Sequence, residues 1–135
     1  MYTNILVPLA PDHGAVKDKS LDVARKLMGP GGRITVLTVV ETVPAYLTHY
    51  LEAGREEANR RQIAQELAAE FAGTPEIAVA AVLGHPAQTI LDLAERDGHD
   101  CIVIASHKPG LQDLFLGSTA ARVVRHAQCG VHVLR

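Results

Sequence analysis

The segment DCIVIA at residues 100–105 decides the fold, together with the polar loop and the helical pattern that follow it. Its apolar residues run without a break, which is typical of a strand covered on both faces. After the helical pattern of residues 118–127, GVHVL at residues 130–134 predicts another strand. A buried strand, a helix and a second strand in this order predict a parallel pair joined by a helical crossover.

The same alternation extends back to the start of the chain. Three further apolar, β-branched runs predict strands, namely NILVPL at residues 4–9, RITVLTVV at 33–40 and EIAVAAVL at 76–83. Helical periodicity separates them, over residues 15–28, 55–72 and 87–96. Gly29-Pro30-Gly31-Gly32 is expected to end the first helix. We therefore predict one doubly wound α/β domain over residues 1–135, with a five-stranded, mostly parallel sheet and helices on both faces.

Composition and charge exclude several classes of function. The 135 residues are 47% hydrophobic, which suits one globular domain with its own core. With a net charge of −2, the chain is not expected to have the basic face that nucleic-acid binding requires. No apolar run reaches the roughly 18 residues of a membrane span, and a strand follows Met1 at once, so we expect no membrane insertion and no signal peptide. Cys101 and Cys129 fit no metal spacing and favour a reducing, cytoplasmic setting.

Ligands of such sheets bind at the carboxyl ends of the strands, where the strand order reverses. The segments to examine therefore follow Leu9, Val40, Leu83 and Ala105. None of them carries a GxxxxGK[ST], GxGxxG or GxSxG motif, and the seven histidines form neither an i,i+4 pair nor HExxH. We predict no catalytic residues and no protein-built metal site.

The start of the last predicted helix is the strongest candidate for an anion site. The first turn of a helix presents free backbone N–H groups and the positive end of its dipole. Gly117 lets an anion approach the backbone, and the hydroxyls of Ser118 and Thr119 add donors. Lys108 and His107 supply positive charge from the preceding loop. The alternative interpretation is that Ser118 serves only as an N-cap.

A second segment, PAYLTHYL at residues 44–51, holds two of the three tyrosines. It is interpreted either as a lid or partner surface, or as a helical turn that packs on the domain.

Several motifs carry a resemblance to a known family, namely IASHKPG at residues 104–110, LGSTAARVVRHA at 116–127 and VHVLR at 131–135. ILVP at residues 5–8, LTVV at 37–40 and GHP at 84–86 match it as well. Over its whole length the chain resembles the universal stress protein family, in the subgroup whose loop reads Ser-His-x-Pro. The resemblance implies an adenine nucleotide alpha hydrolase-like fold that binds ATP or a related adenine nucleotide.

The resemblance also implies which residues bind. The phosphates would meet Gly117 and Ser118, the adenine would meet the backbone of Val39, and Ile104 would lie against the nucleoside. The full set of expected nucleotide-binding residues is Pro8, Leu9, Ala10, Asp12, Val39, Gly84, Ile104, Ser106, His107, Lys108, Gly110, Gly117, Ser118 and Thr119. Mg²⁺ is an optional companion of the phosphates.

Two departures from the family pattern concern this site. Nucleotide-binding members carry Gly-x-x-Gly, nine residues, then Gly-Ser/Thr, whereas Ala105 and Lys108 stand at the first two glycine positions here and the loop is one residue shorter. Ala10 stands where binders usually carry an aspartate, and Asp12 is the nearest carboxylate that could replace it.

We expect a small cytoplasmic regulatory module that acts by conformational or partner switching when it binds nucleotide. The alternatives are a nucleotide-free dimerising stress adaptor, which Ala10 favours, and a slow ATPase, which ranks lower because no motif positions a water or a metal. The resemblance implies that the last strand pairs with its twin in a homodimer, with Val131 and Val133 on the shared edge, since no proline or lysine protects that edge. A larger oligomer and a protein partner of unidentified nature remain open.

Overall fold

The computed structural model describes residues 1–50, 52–106 and 116–135. Within these ranges, strands and helices alternate along the chain. The strands are β1 (Tyr2–Pro8), β2 (Met28–Glu41), β3 (Ile77–Gly84), β4 (Cys101–Ala105) and β5 (Gly130–Leu134). The α-helices are α1 (Gly14–Leu27), α2 (Arg55–Glu70), α3 (Pro86–Arg96) and α4 (Ser118–His126), and a short 3₁₀ helix spans Ala45–Tyr50.

The five strands form one sheet in the order β3-β2-β1-β4-β5, and every pair is parallel. The chain therefore starts in the middle, builds outward to β3, and returns across β1 to build β4 and β5 on the other side. The predicted doubly wound α/β fold is confirmed. The order reverses between β1 and β4, and the carboxyl ends of the strands beside that point form the edge where ligands bind in such sheets.

Two apolar cores lie on opposite faces of the sheet. On one face, Ile5 and Ile34 pack with residues of α1 and α2, such as Leu21 and Leu67. On the other face, Leu6, Leu37 and Ile102 pack with residues of α3 and α4. Because both faces are covered, the central strands lose the alternation of apolar and polar residues, and their continuous apolar runs identify them in the sequence.

The glycine-rich run at residues 29–32 differs from the prediction. The helix does end before it, at Leu27, but the backbone is extended from Met28 onward and belongs to β2. Tyr2 pairs with Met28 and Asn4 with Arg33, so the glycine run bulges out of the ladder between these two pairs. Gly31 has a φ of +73°, which an L side chain rarely adopts, so the bulge requires the glycine.

The segment that follows β2 is exposed to solvent. None of the residues of the 3₁₀ helix Ala45–Tyr50 is buried, and Tyr46 and Tyr50 are 73% and 76% exposed. The described residues of this segment therefore form the helical turn of one interpretation, but the turn does not pack on the domain.

No helix within the described ranges combines the length and the apolar character needed to cross a membrane.

Candidate functional site

A cleft of about 440 Å³ opens at the carboxyl ends of β1, β2 and β4, where the strand order reverses. Its size lies within the range typical of small-molecule sites. The loop after β1 and the start of α1 form one wall, and the starts of α3 and α4 contribute the others. The cleft therefore lies at the edge that the strand order predicts.

Most of the nucleotide-binding residues expected from the sequence line this cleft. They are Pro8, Leu9, Ala10, Asp12, Val39, Ile104, Ser106, Gly117, Ser118 and Thr119. Gly84 is not among the lining residues, and a Cβ at this position would collide with the side chain of Thr89. His107, Lys108 and Gly110 lie outside the described residues.

The start of α4 forms the polar end of the cleft. Gly117 is the N-cap, with extended backbone (φ −61°, ψ 158°), and Ser118 is the first helical residue. Ser118 is therefore not the N-cap that one interpretation made it. No side chain in the described part of the chain accepts a hydrogen bond from the backbone N–H of Ser118 or Thr119. These N–H donors, the hydroxyls of two residues that line the cleft and the positive end of the helix dipole can together attract an anion.

Backbone hydrogen bonds hold this helix start against the sheet. The N–H of Gly117 donates to the carbonyl of Ser106 at 2.6 Å, and the N–H of Ser106 donates to the carbonyl of Leu134 at 2.7 Å. On the opposite side of the cleft, the N–H of Leu9 donates to the carbonyl of Leu37 at 2.8 Å. The α4 start is thus attached to the ends of β4 and β5, and the loop after β1 is attached to β2.

The other end of the cleft is apolar. Leu37 and Ile90 are completely or almost completely buried, and Val39 and Ile104 are also buried. The exposed carboxylate of Glu41 lies at the outer end, beyond Val39. Apolar walls at one end and anion-binding donors at the other suit a ligand that joins a flat apolar ring to an anionic group.

His13 lines the cleft, and the sequence analysis did not identify it. Its Nδ1 lies 2.8 Å from the carbonyl oxygen of Ala10, and its Nε2 lies 3.1 Å from each carboxylate oxygen of Glu70. Glu70 also pairs with Lys17, whose Nζ is 2.8 Å from Oε2. The i,i+4 spacing of His13 and Lys17 was visible in the sequence, but their shared partner lies more than fifty residues away and gave no local signal.

The charges of this cluster are mutually stabilising. Partial burial acts to raise the pKa of Glu70, but hydrogen bonds from Lys17 and His13 outweigh it, so the pKa is lowered. The hydrogen bond to Glu70 in turn raises the pKa of Lys17. Glu70 therefore remains a carboxylate and Lys17 an ammonium at neutral pH.

Three further titratable side chains, those of His99, Cys101 and Cys129, are not among the residues that line the cleft. His99 is buried, and this burial lowers its pKa. Burial raises the pKa of Cys101 to about 11 and also raises that of Cys129, so neither thiol is poised to react as a thiolate. Within the described ranges, no three His, Cys, Asp or Glu side chains are grouped to hold a metal ion.

Comparison with known proteins decides the family. The model of the universal stress protein family matches residues 1–135. The chain belongs to the universal stress protein family. A universal stress protein of Thermus aquaticus is 32% identical over the full length of both chains. A universal stress protein of Methanothermobacter thermautotrophicus is 30% identical over all of this chain and 97% of its own length.

Solved structures of universal stress proteins share the fold. UspA from Lactobacillus plantarum is 28% identical, with a TM-score of 0.73 over 99% of this chain and 98% of its own. A universal stress protein in complex with cAMP is 18% identical, with a TM-score of 0.67 over 99% and 97% of the two chains. A family protein from Arabidopsis thaliana with AMP bound is 16% identical, with a TM-score of 0.61 over 98% and 90%.

Proposed function

We propose that this universal stress protein binds ATP or a related adenine nucleotide in the cleft and works as a small regulatory module. Binding would change its conformation or its affinity for a partner. The observation that carries the proposal is the helix start at Gly117–Thr119, which lies at the polar end of a cleft with apolar walls and has no side-chain cap among the residues that the structure describes. An uncapped helix start of this kind is a ready-made site for phosphate.

Each part of a nucleotide has a complementary part of the cleft. The phosphates fit the N–H groups and hydroxyls of Ser118 and Thr119, where Gly117 leaves the backbone accessible. The base fits between the buried side chains of Val39 and Ile104. The ribose is assigned to the loop after β1, beside Ala10 and Asp12. Mg²⁺ would accompany the phosphates rather than bind to a site built by the protein.

Two kinds of observation support an adenine nucleotide in a reducing cytoplasm. Two solved structures that share this fold are complexes with cAMP and with AMP. Both cysteines are free, as is usual in the cytoplasm, where thiols stay reduced.

The geometry of His13 favours binding over hydrolysis. A general base needs a ring nitrogen that can take a proton from the attacking water. Both ring nitrogens of His13 already contact protein oxygens. Nδ1 contacts the carbonyl oxygen of Ala10, and Nε2 contacts the carboxylate of Glu70. The ring nitrogens of His13 are therefore occupied by contacts within the protein. For this reason we rank a slow ATPase below a binding module.

Calorimetric titration of the purified protein with ATP, ADP, AMP and GTP, with and without Mg²⁺, tests the proposal. We expect saturable binding of the adenine nucleotides and a matching rise in melting temperature. At a ligand concentration one hundred times the dissociation constant, binding adds about 2.7 kcal/mol of stability, which raises the melting temperature of a domain this size by roughly 10 °C. No heat of binding and no thermal shift at millimolar ATP would refute it and favour the nucleotide-free adaptor.

We further propose that the chain forms a homodimer through β5. Within the described part of the chain, this strand lies at the edge of the sheet and pairs with β4 alone. The N–H of Gly130 and the carbonyl of Leu134 bond toward β4, and backbone groups alternate in direction along a strand. Those of Val131 and Val133 therefore face away from the sheet and are available to a second copy.

The opposite edge is better protected against such pairing. There the guanidinium of Arg60 donates to the carbonyl oxygen of Ala81 on β3 at 3.2 Å. A charged side chain over an edge strand discourages the addition of another strand. Light scattering of the purified protein at micromolar concentration should give the mass of a dimer or of a larger even-numbered assembly, and a monomer mass would refute the proposal.

A further inference from the structure

We propose that Glu41 selects the base of the nucleotide, because its carboxylate accepts a hydrogen bond from the exocyclic amino group of adenine. Glu41 lines the cleft at its outer, apolar end, beyond Val39. The inference rests on the proposed function, since the base that Glu41 selects belongs to the nucleotide of that same cleft. It adds the contact by which the site distinguishes adenine from a purine that lacks the amino group.

The alternation of side chains along β2 directs Glu41 into the cleft. Leu37, Val39 and Glu41 stand two residues apart on this strand, and all three line the cleft. Side chains two residues apart in a strand lie on the same face, about 6.6 Å from each other. A flat ring that packs on Val39 therefore has the side chain of Glu41 at its outward-facing edge.

β2 continues beyond the end of β1 at this point. The last pair between β1 and β2 joins Pro8 to Leu37, whereas β2 pairs with β3 as far as Glu41 and Gly84. In the described ranges, the part of β2 beyond Leu37 therefore has a ladder partner on the β3 side and none on the β1 side. The backbone of Glu41 is held in the sheet, while the cleft opens beside it.

No residue in the described part of the chain satisfies the carboxylate of Glu41. Neither a hydrogen bond nor an ion pair joins it to any of them, whereas the carboxylate of Glu70 is paired with Lys17. Glu41 and Arg55 both line a second cavity of about 470 Å³ between the end of β2 and α2, but Arg55 does not line the cleft. The carboxylate of Glu41 is therefore available to a ligand.

The placement of the nucleotide brings the amino group of adenine to this end of the cleft. The phosphates are assigned to the start of α4, and the ribose to the loop after β1 beside Ala10 and Asp12. The amino group is on the six-membered ring, which is the part of the base remote from the ribose. It donates hydrogen bonds, and a carboxylate can only accept them. A purine without the amino group would leave the carboxylate without a partner in a partly apolar wall, which lowers affinity.

Comparison of ATP with purine riboside triphosphate tests the role of Glu41. This analogue is ATP without its amino group, so the ratio of the two dissociation constants isolates that group. We would titrate both nucleotides by calorimetry into the wild type, Glu41→Val and Glu41→Gln, with Glu56→Gln as the matched control. Glu56 lines the second cavity but not the cleft. Repulsion between the carboxylate and the phosphates affects both nucleotides alike and cancels in the ratio.

The wild type and Glu56→Gln should bind ATP about tenfold more tightly than the analogue, or better, as expected for one hydrogen bond to a charged group. Glu41→Val should lower this ratio by about tenfold because it removes the acceptor. Glu41→Gln should lower it by only about threefold, because an amide oxygen still accepts but forms a weaker bond.

The possible failures are distinguishable. A ratio near one in the wild type, or the same ratio in all four proteins, would overturn the selection of the base by Glu41 and leave the proposed function intact. A merely structural role of Glu41 would give this second result, since it would weaken both nucleotides by the same factor. Binding of neither nucleotide to the wild type would overturn the proposed function, and the selection of the base with it.

Discussion

Ser118→Pro isolates the backbone contribution of the α4 start to nucleotide binding. Ser118 is the first residue of the helix, the one helical position where proline is favoured, because the N–H it removes has no helical partner. Gly117 before it has φ −61° and ψ 158°, which is the extended region that the residue before a proline prefers. The fold already begins α3 with Pro86. The substitution should therefore delete one N–H and one hydroxyl from the polar end of the cleft without disturbing the helix.

The magnitude follows from the two donors that are lost. A hydrogen bond to a charged acceptor contributes about 1.5–3 kcal/mol. Ser118→Ala removes the hydroxyl alone and should weaken ATP by roughly tenfold, whereas Ser118→Pro removes both donors and should weaken it by roughly a hundredfold or more. Proline at a compatible position stabilises the fold by about 0.4–1 kcal/mol, so the melting temperature of the ligand-free protein should stay unchanged or rise slightly.

The assay is calorimetry with ATP, and with adenosine as the ligand that lacks phosphate. Thr119→Val is the matched control, since it removes a hydroxyl but leaves every backbone N–H in place. We expect adenosine to bind Ser118→Pro and the wild type equally. Equal ATP affinity of Ser118→Pro and the wild type, with an intact melting curve, would refute the assignment of the phosphates to this helix start.

Three further predictions concern the ribose, the assembly and the core. Ala10→Asp should tighten nucleotide binding by restoring the carboxylate typical of family members that bind, and Asp12→Asn should change the calorimetric affinity little; loss of binding in Asp12→Asn would move the carboxylate's role to Asp12. Val131→Pro should remove an N–H that faces away from β4 and shift the light-scattering mass to that of a monomer, with an unchanged far-ultraviolet circular dichroism spectrum; a persistent dimer would exclude pairing through β5. Burial lowers the pKa of His99 in the folded protein, so the unfolded chain takes up the proton more readily. The contribution of His99 to the free energy of unfolding is therefore complete above about pH 6.5, the ordinary histidine value, and is lost as the pH falls below it. Urea unfolding between pH 7.5 and 5 should show this loss in the wild type and a smaller one in His99→Leu, and equal slopes would contradict it.

The sequence predicts the architecture well because the central strands are buried on both faces. Their unbroken apolar runs, such as DCIVIA and NILVPL, have few alternative placements, and the helices between them fix parallel pairing. The errors fall where the local pattern is weak. The glycines after Leu27 follow the end of the helix, as predicted, but β2 begins at Met28 rather than at Arg33, because a register shift between Tyr2 and Asn4 takes the glycine run into the sheet as a bulge.

In the candidate site, too, the residues that a local pattern identifies could be predicted, and those that depend on distant partners could not. Residues next to strand ends or helix starts, such as Leu9 and Ser118, could be predicted to line the cleft, because the position of the cleft follows from the strand order. The role of His13 depends on Glu70, which only the packing of α2 beside α1 brings within hydrogen-bonding distance. Gly84 illustrates the opposite case. A Cβ here would collide with the hydroxyl of the neighbouring Thr89, which a motif match alone does not reveal.

The central claim is that the start of α4 holds the phosphates of an adenine nucleotide. Its most direct test is a crystal structure of the protein grown with ATP. We expect a phosphate within hydrogen-bonding distance of the backbone N–H groups of Ser118 and Thr119, and the adenine between Val39 and Ile104. Nucleotide bound elsewhere, or an empty cleft at millimolar ATP with the α4 start open to solvent, would contradict the account.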